Sequence, residues 1–408
     1  MSELRGWNRK VRTSTSRRNF VGGMAAAAGA MVASRLELGG MRDTVPNETL
    51  NIAMVGAGEL ERVESLPGQK SLTFSKIVGT TYPAAQFPKQ DYLIHPSRFD
   101  SEGNWAFCRF TSEEIPAVRM GLQRGGFNIT ATKQIPDKTR LQLHLEIMTK
   151  DGAILWLPSG KYPSNKVITD PKSMTIQLRV QDREIFSIRG WPHMEWRFRS
   201  DDGEAEVNLQ VKLSSVTVLP DCILPRCVFS MWEAMGDARG VIRYRNQTVS
   251  VDGKVFYDHP RIIHRPSSAV PRKMYLYTTM YFEDGSGMFG FHAVDEKGNS
   301  IDYYCFGVYI DASGRARFLS DARLTRLAID QENTPKYWQL HWRNEELAIE
   351  ADIKVRTFQL LRSWGSQVEP AAPSDFPLVL DGQARISGNG NERTLLGRGL
   401  AEYYNADV

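Results

Sequence analysis

Apolar and polar residues alternate strictly in several stretches of this chain. Leu141-Gln142-Leu143-His144-Leu145-Glu146-Ile147 is the clearest case, and Met174 to Val180, Val207 to Leu213 and Leu347 to Ile353 repeat the pattern. A period of two sends successive side chains to opposite faces, so each stretch reads as a half-buried β-strand. Turn signals punctuate these runs. Asp202-Gly203, Asp252-Gly253 and Asp284-Gly285 are each expected to form a tight turn, because glycine tolerates positive φ. Met274 to Phe282 is answered by Met288 to Val294 across one such turn, and Tyr303 to Ile310 by Ala312 to Leu319 around Ser313-Gly314. Residues 112 to 123 suggest a helix, and residues 71 to 135 pattern poorly. The expectation is an all-β, antiparallel protein whose sheets close into barrels, since closure removes exposed edges.

The N-terminus departs from this texture. Ser16-Arg17-Arg18-Asn19-Phe20 precedes the Ala/Gly-rich apolar run Val21 to Ala33, which resembles a twin-arginine export signal. The run is too short to span a bilayer, and no other segment is apolar enough to do so. The resemblance implies the twin-arginine export machinery as a partner and a periplasmic or secreted destination. It also changes the charge argument. The chain has 51 basic and 47 acidic residues, a net of +4, while residues 1 to 33 hold six basic residues against Glu3. Without them the remainder is close to −1. The body therefore lacks the basic excess that nucleic-acid binding needs.

Residues 34 to 70 read as a linker, apart from Asn51-Ile52-Ala53-Met54-Val55-Gly56-Ala57-Gly58, which looks like the first strand and turn of an NAD(P)-binding unit. The third glycine of that fingerprint falls at Glu61, where a negative side chain opposes both helix packing and a pyrophosphate. An exported NAD(P)-dependent oxidoreductase survives only through this fragment, and no cofactor is expected. Nor is a metal: the seven histidines are scattered, and Cys222 and Cys227 are not spaced as a two-residue knuckle. Cys108, Cys222, Cys227 and Cys305 are read as buried or free thiols, with a small-loop Cys222–Cys227 disulfide as the alternative. Ser159-Gly160 and Ser286-Gly287 lack the flanks of a nucleophile elbow.

One segment goes beyond texture. Gly240-Val241-Ile242-Arg243-Tyr244, then Val249 to Val255, then Tyr257-Asp258-His259, resembles the inter-domain segment of the carotenoid 1,2-hydratase (hydroxyneurosporene synthase-like) and AttH-like superfamily. The closing Gly397-Arg398-Gly399-Leu400-Ala401-Glu402-Tyr403 is similar to that family's last strand. Pro260-Arg261 stands where the family usually continues towards Trp-Gly. The resemblance implies two tandem lipocalin-like β-barrels. The expected organisation is a signal at 1–33, a linker at 34–70, a first β domain at 71–250 and a second at 251–408.

The resemblance also implies a site for an apolar small molecule, lipid or isoprenoid-like, and hydratase- or cyclase-type chemistry. The different-class alternative is a non-catalytic carrier. Alkene hydration needs a group that protonates carbon and a base that activates water. Asp258, His259 and Tyr257 are the candidate catalytic residues. Asp258 and His259 are adjacent, so on a strand they face opposite ways and each needs a partner from elsewhere, such as His264, Glu402 or Tyr257. The alternative is a polar pair tying the domains together. Tyr275, Tyr277, Trp338, Trp342 and Glu402 are candidate ligand contacts. Trp338 and Trp342 share a face with Leu340 and read as core more readily than as a ligand platform. His193 reads as a strand start and His292 as a satisfied core histidine.

Overall fold

The computed structural model describes residues 80–405, apart from 96–98, 126, 130–133, 137–140, 157–161, 225–226, 265–273, 295–304, 330–334, 357–359, 365–377 and 389. The export-like segment, the linker and the Asn51–Gly58 fragment lie outside the described residues, as do the side chains of Cys222, Cys227, His264 and Tyr275.

Nearly all of the described chain is β-strand, in the tandem lipocalin-like arrangement, with one half-barrel and one nearly closed barrel. The first sheet has 13 strands. Its middle order is Leu141–Thr149, Ala117–Arg124, Ser101–Phe110, Gln247–His264, Cys227–Tyr244 and Ala205–Leu224, followed by the short hairpins of residues 167–199. The second sheet has nine strands, with Met274–Phe282, Asn391–Asn405, Leu378–Gly388 and Leu347–Arg356 at its centre. It curls until Asp321–Ile329 at one edge approaches Phe306–Ile310 near the other. Among the described residues the pairings are antiparallel except one: Leu360–Trp364 runs parallel to Gly152–Trp156 of the first sheet. Among the described residues, no helix is long and apolar enough to cross a membrane.

Several turns form where the sequence places them. Gly203, Gly285 and Gly314 have φ of 76°, 86° and 87°. Gly285 and Gly314 each close a hairpin by donating to the carbonyl three residues back. Two local expectations are overturned. Asp252-Gly253 is not a turn but lies within the Gln247–His264 strand, opposite Arg239 and Ala238. There a Cβ on Gly253 would sit 2.2 Å from the Arg109 carbonyl, so the glycine serves a close strand approach. The suggested helix at 112–123 is also wrong: Ala117–Arg124 is a strand, buried at every position. The reason is tertiary. One face of this strand lines the first barrel and the other is covered by the second sheet, so no polar face remains to mark the period.

The apolar side chains form three clusters. Trp156, Trp196, Trp232 and Tyr257 belong to the interior of the first sheet, and Trp338 and Trp342 to that of the second. The third cluster is the seam between the sheets, built from Trp105, Phe107, Met235 and Phe256 on one side and Tyr277, Tyr281, Phe289 and Phe291 on the other. The Gln247–His264 strand, within which the expected division at 250/251 falls, pairs along its length with first-sheet neighbours.

Candidate functional site

Alternation along Gln247–His264 divides the Tyr257-Asp258-His259 motif between two environments. Tyr257 and His259 point into the first barrel, whereas Phe256 faces the seam, as does Asp258 beside it.

On the barrel side, the Tyr257 hydroxyl donates to Asn104 Oδ1. His259 contacts the same oxygen through Nδ1 at 3.0 Å and Glu102 Oε1 through Nε2 at 3.1 Å. His95 reaches Glu102 Oε1 from the other side, also at 3.0 Å. The Trp232 ring stacks on His259 with centroids 5.0 Å apart. Burial alone pushes the Glu102 carboxyl up, but the hydrogen bonds from His259 and His95 outweigh it and bring it down to about 2. Burial pushes His259 down in turn, so its ring is neutral at pH 7. The Asn104 NH2 has no hydrogen-bond partner.

On the seam side, the register sets Glu233 directly opposite Asp258 on neighbouring strands, a separation of about 5 Å between Cβ atoms. Glu233 is 1% and Asp258 8% exposed. Tyr277, from the second sheet, donates its hydroxyl to Glu233 Oε1. Glu233 Oε2 and Asp258 Oδ1 have no hydrogen-bond partner. Burial pushes both carboxyls well above their usual range; the charges of Asp258 and Glu402 add to this at Glu233, and that of Glu402 at Asp258, against a lowering by Arg119. Two buried carboxylates facing each other cannot both ionise cheaply, so the pair holds a proton at neutral pH.

A charged clamp borders the pair. Arg119 forks onto Glu146 through Nε and Nη2, and its Nη1 reaches Glu402 at 2.8 Å. Burial pushes the Glu146 carboxyl up, but the Arg119 charge and a hydrogen bond from His144 bring it below the usual range. The seam thus contains ionised Glu146 as well as the Glu233–Asp258 pair, which holds a proton. Their neighbours, not their depth, set the difference.

The structure therefore brings together three of the residues singled out from the sequence: Asp258, Tyr277 and Glu402. Tyr257 and His259 lie on the far face of the same strand. Trp338 and Trp342 are fully buried in the second barrel. The Trp342 indole donates to His292 Nε2 at 2.7 Å, and its ring fills the space left by Gly290 and Gly307. Burial lowers His292 to about 3. Of the cysteines with described side chains, Cys108 and Cys305 are both buried, and the Cys305 thiol donates to the Ala293 carbonyl at 3.6 Å. No cluster among the described residues is arranged to hold a metal ion.

Sequence reading missed Glu233, Glu102, Asn104, Arg119 and Glu146. A signal existed for some of them. Glu233 is the lone acid in Met231-Trp232-Glu233-Ala234-Met235, and Arg119 the lone charge in Ala117-Val118-Arg119-Met120. A charge inside an apolar run is a candidate buried ion. The face of Leu141–Thr149 carrying Gln142, His144 and Glu146, expected to meet solvent, is instead covered.

Where the seam ends near Tyr281, the sheets part around an open groove of about 1400 Å³, lined by Arg109, Lys212, Arg239, Tyr281 and Arg398 among others.

No protein-family model matches the chain, and no curated protein matches it. Solved structures do. An AttH-like protein from Nitrosomonas europaea is similar at 13% identity and a TM-score of 0.50, over 82% of this chain and 99% of that one. Kievitone hydratase from Nectria haematococca matches at 12% identity and a TM-score of 0.41, over 81% and 97%. CghA matches at 10% identity and a TM-score of 0.39, over 80% and 93%. The chain shares its tandem lipocalin-like fold with the AttH-like protein.

Proposed function

We propose that this chain binds an apolar, lipid- or isoprenoid-like small molecule in the seam between its two sheets and protonates it from the Glu233–Asp258 pair. The observation that carries this reading is the pair itself: two carboxyls face to face, buried, each with an oxygen left without a partner. A carboxyl kept protonated at neutral pH by its surroundings is a general acid. Proton transfer from it to an alkene carbon converts the C=C bond into a C–H bond and a cation. The faces of Tyr277, Phe291 and Trp105 suit such a cation. The carboxylate left behind then accepts a proton either from an attacking water, which gives hydration, or from a C–H beside the cation, which re-forms a C=C bond and gives isomerisation, or cyclisation when a second C=C of the substrate has first added to the cation. Glu402, held by Arg119, is a second base for the water. We place the activity outside the cytoplasm, on the strength of Arg17-Arg18 and the apolar run that follows.

The test begins with mass spectrometry of an organic extract from the purified protein, which names a compound class to assay. Asp258→Asn and Glu233→Gln are expected to lower turnover by at least about 100-fold, the scale of a lost general acid, with the melting temperature retained. Turnover unchanged in both variants would overturn the chemistry. A retained compound with no product under any condition would make the chain a carrier. Arg17→Lys with Arg18→Lys is expected to hold the protein in the cytoplasm; unchanged appearance in the periplasm would remove the export reading.

A further inference from the structure

Two buried donor atoms at the open end of the seam, Arg109 Nε and the Tyr281 hydroxyl, have no acceptor. Arg109 is 7% exposed. Its Nη1 donates to the Phe110 and Pro116 carbonyls at 3.0 and 2.8 Å, and its Nη2 to Asp381 Oδ1 at 3.1 Å, but its Nε has no acceptor. Tyr281 is 6% exposed and packs on Phe256 with ring centroids 4.5 Å apart, yet its hydroxyl has no partner. Arg109 comes from the first sheet and Tyr281 from the second, and both line the same groove. An unmet buried donor is destabilising, so two on residues lining one groove are a placement that asks for an oxygen acceptor.

The charge around them specifies which acceptor. Asp381, Asp237 and Glu113 are already matched to Arg109, Lys254 and Arg356, at 3.1, 2.6 and 3.6 Å. Lys212, Arg239 and Arg398 make no ion pair among the described residues, and they stand against Asp252 and Glu283. The unmatched side chains of the groove are therefore cationic on balance. A guanidinium edge with a free Nε suits a carboxylate, which accepts in the guanidinium plane. Inward from Tyr281 the packed interior of the seam is apolar, through Phe256, Met235 and Phe289, towards Tyr277.

We infer that the groove is the head-group site for a carboxylate-bearing amphiphile, whose carboxylate accepts from Arg109 Nε and the Tyr281 hydroxyl and whose apolar body runs along the seam. The inference rests on the proposed apolar-ligand function and narrows its substrate to an acid. It also sets a length. Tyr281 and Tyr277 are four residues apart on one strand, roughly 14 Å. The reacting carbon that meets the Glu233–Asp258 pair lies about that far from the carboxylate.

Isothermal titration of the full chain with oleate, methyl oleate and oleyl alcohol tests this. Oleate is expected to bind about tenfold tighter than the other two. Tyr281→Phe, which keeps the ring on Phe256, and Arg398→Glu, at an exposed position, are each expected to remove most of that preference and leave the alcohol unchanged. Equal affinity for all three probes, or variants that weaken acid and alcohol alike, would overturn the head-group site. So would the absence of binding by any of them, which would take the apolar-ligand reading with it. Acid-selective binding without turnover of any unsaturated acid would sink the acid–base chemistry and leave the head-group site standing. Turnover without acid selectivity would do the reverse.

Discussion

The two faces of one strand, Gln247–His264, carry two buried acid clusters in opposite protonation states. Facing the first barrel, Glu102 is wholly buried yet ionised, because His259 and His95 donate to it. Facing the seam, Glu233 and Asp258 are as deeply placed but hold a proton, because each one's near neighbours include another carboxylate and too few donors. Burial is common to both clusters, so burial does not decide the charge. The donors do. One cluster is built for stability and the other keeps a reactive proton at a cost in stability.

The largest expected effect is on the barrel side. Glu102→Leu leaves His259 and His95 without their acceptor and is expected to cost about 3–5 kcal/mol, read from the urea midpoint. A loss no larger than that of Glu233→Gln would break the contrast between the faces.

The pH dependence of stability comes next, and the two clusters give it opposite signs. Glu102 is depressed from an ordinary 4.5 to about 2, so its contribution is present above pH 4.5 and is lost as pH falls towards 2. Glu102→Gln should flatten that acid limb. Glu233 and Asp258 are raised, so the folded state keeps protons that the unfolded chain releases. Their effect is stability that declines as pH rises above about 4. Glu233→Gln should remove that decline, and a slope unchanged by it would mean the pair is not protonated.

At neutral pH, Glu233→Gln itself is expected to change stability by no more than about 1 kcal/mol, in the favourable direction, because folding no longer has to take up a proton for the pair. Smallest of all is Asp381→Asn. Its ion pair with Arg109 is half exposed on the aspartate side, so the change should be under about 1 kcal/mol, shrinking further in salt. A larger loss would mean Arg109 depends on Asp381 for its position in the groove.

How much of this was legible depended on where each strand lies. Thr175–Val180 and Leu347–Arg356 alternate in burial as they alternate in sequence, and they read correctly. Leu141–Thr149 was legible as a strand but not as a doubly buried one. Ala117–Arg124 lies between the barrel and the seam, and both of its faces are covered. The polar side chains it carries, such as Arg119, are satisfied from other strands, so a two-residue period had nothing to show. Gly253 read as a turn because its pairing with the 101–110 strand is invisible locally. The separation of Asp258 from His259 followed from period two alone. Their partners did not: Asn104 and Glu102 are 155 and 157 residues from His259. Glu402 was singled out from its similarity to a family's last strand, and the register of Tyr277 opposite Glu402 puts both on the face that meets the first sheet.

The sequence by itself determined the all-β class, the turns at Asp202-Gly203, Asp284-Gly285 and Ser313-Gly314, and the splitting of Tyr257-Asp258-His259 across a strand. These follow from backbone geometry over a few residues, which the order of side chains states directly. Tertiary structure alone decided which faces are buried, that Glu233 meets Asp258 while Glu102 meets two histidines, and that Arg109 and Tyr281 line one groove. Desolvation and charge act through space. The groups that supply them come from strands far apart in the chain, and only the packing of one sheet on the other sets their distances.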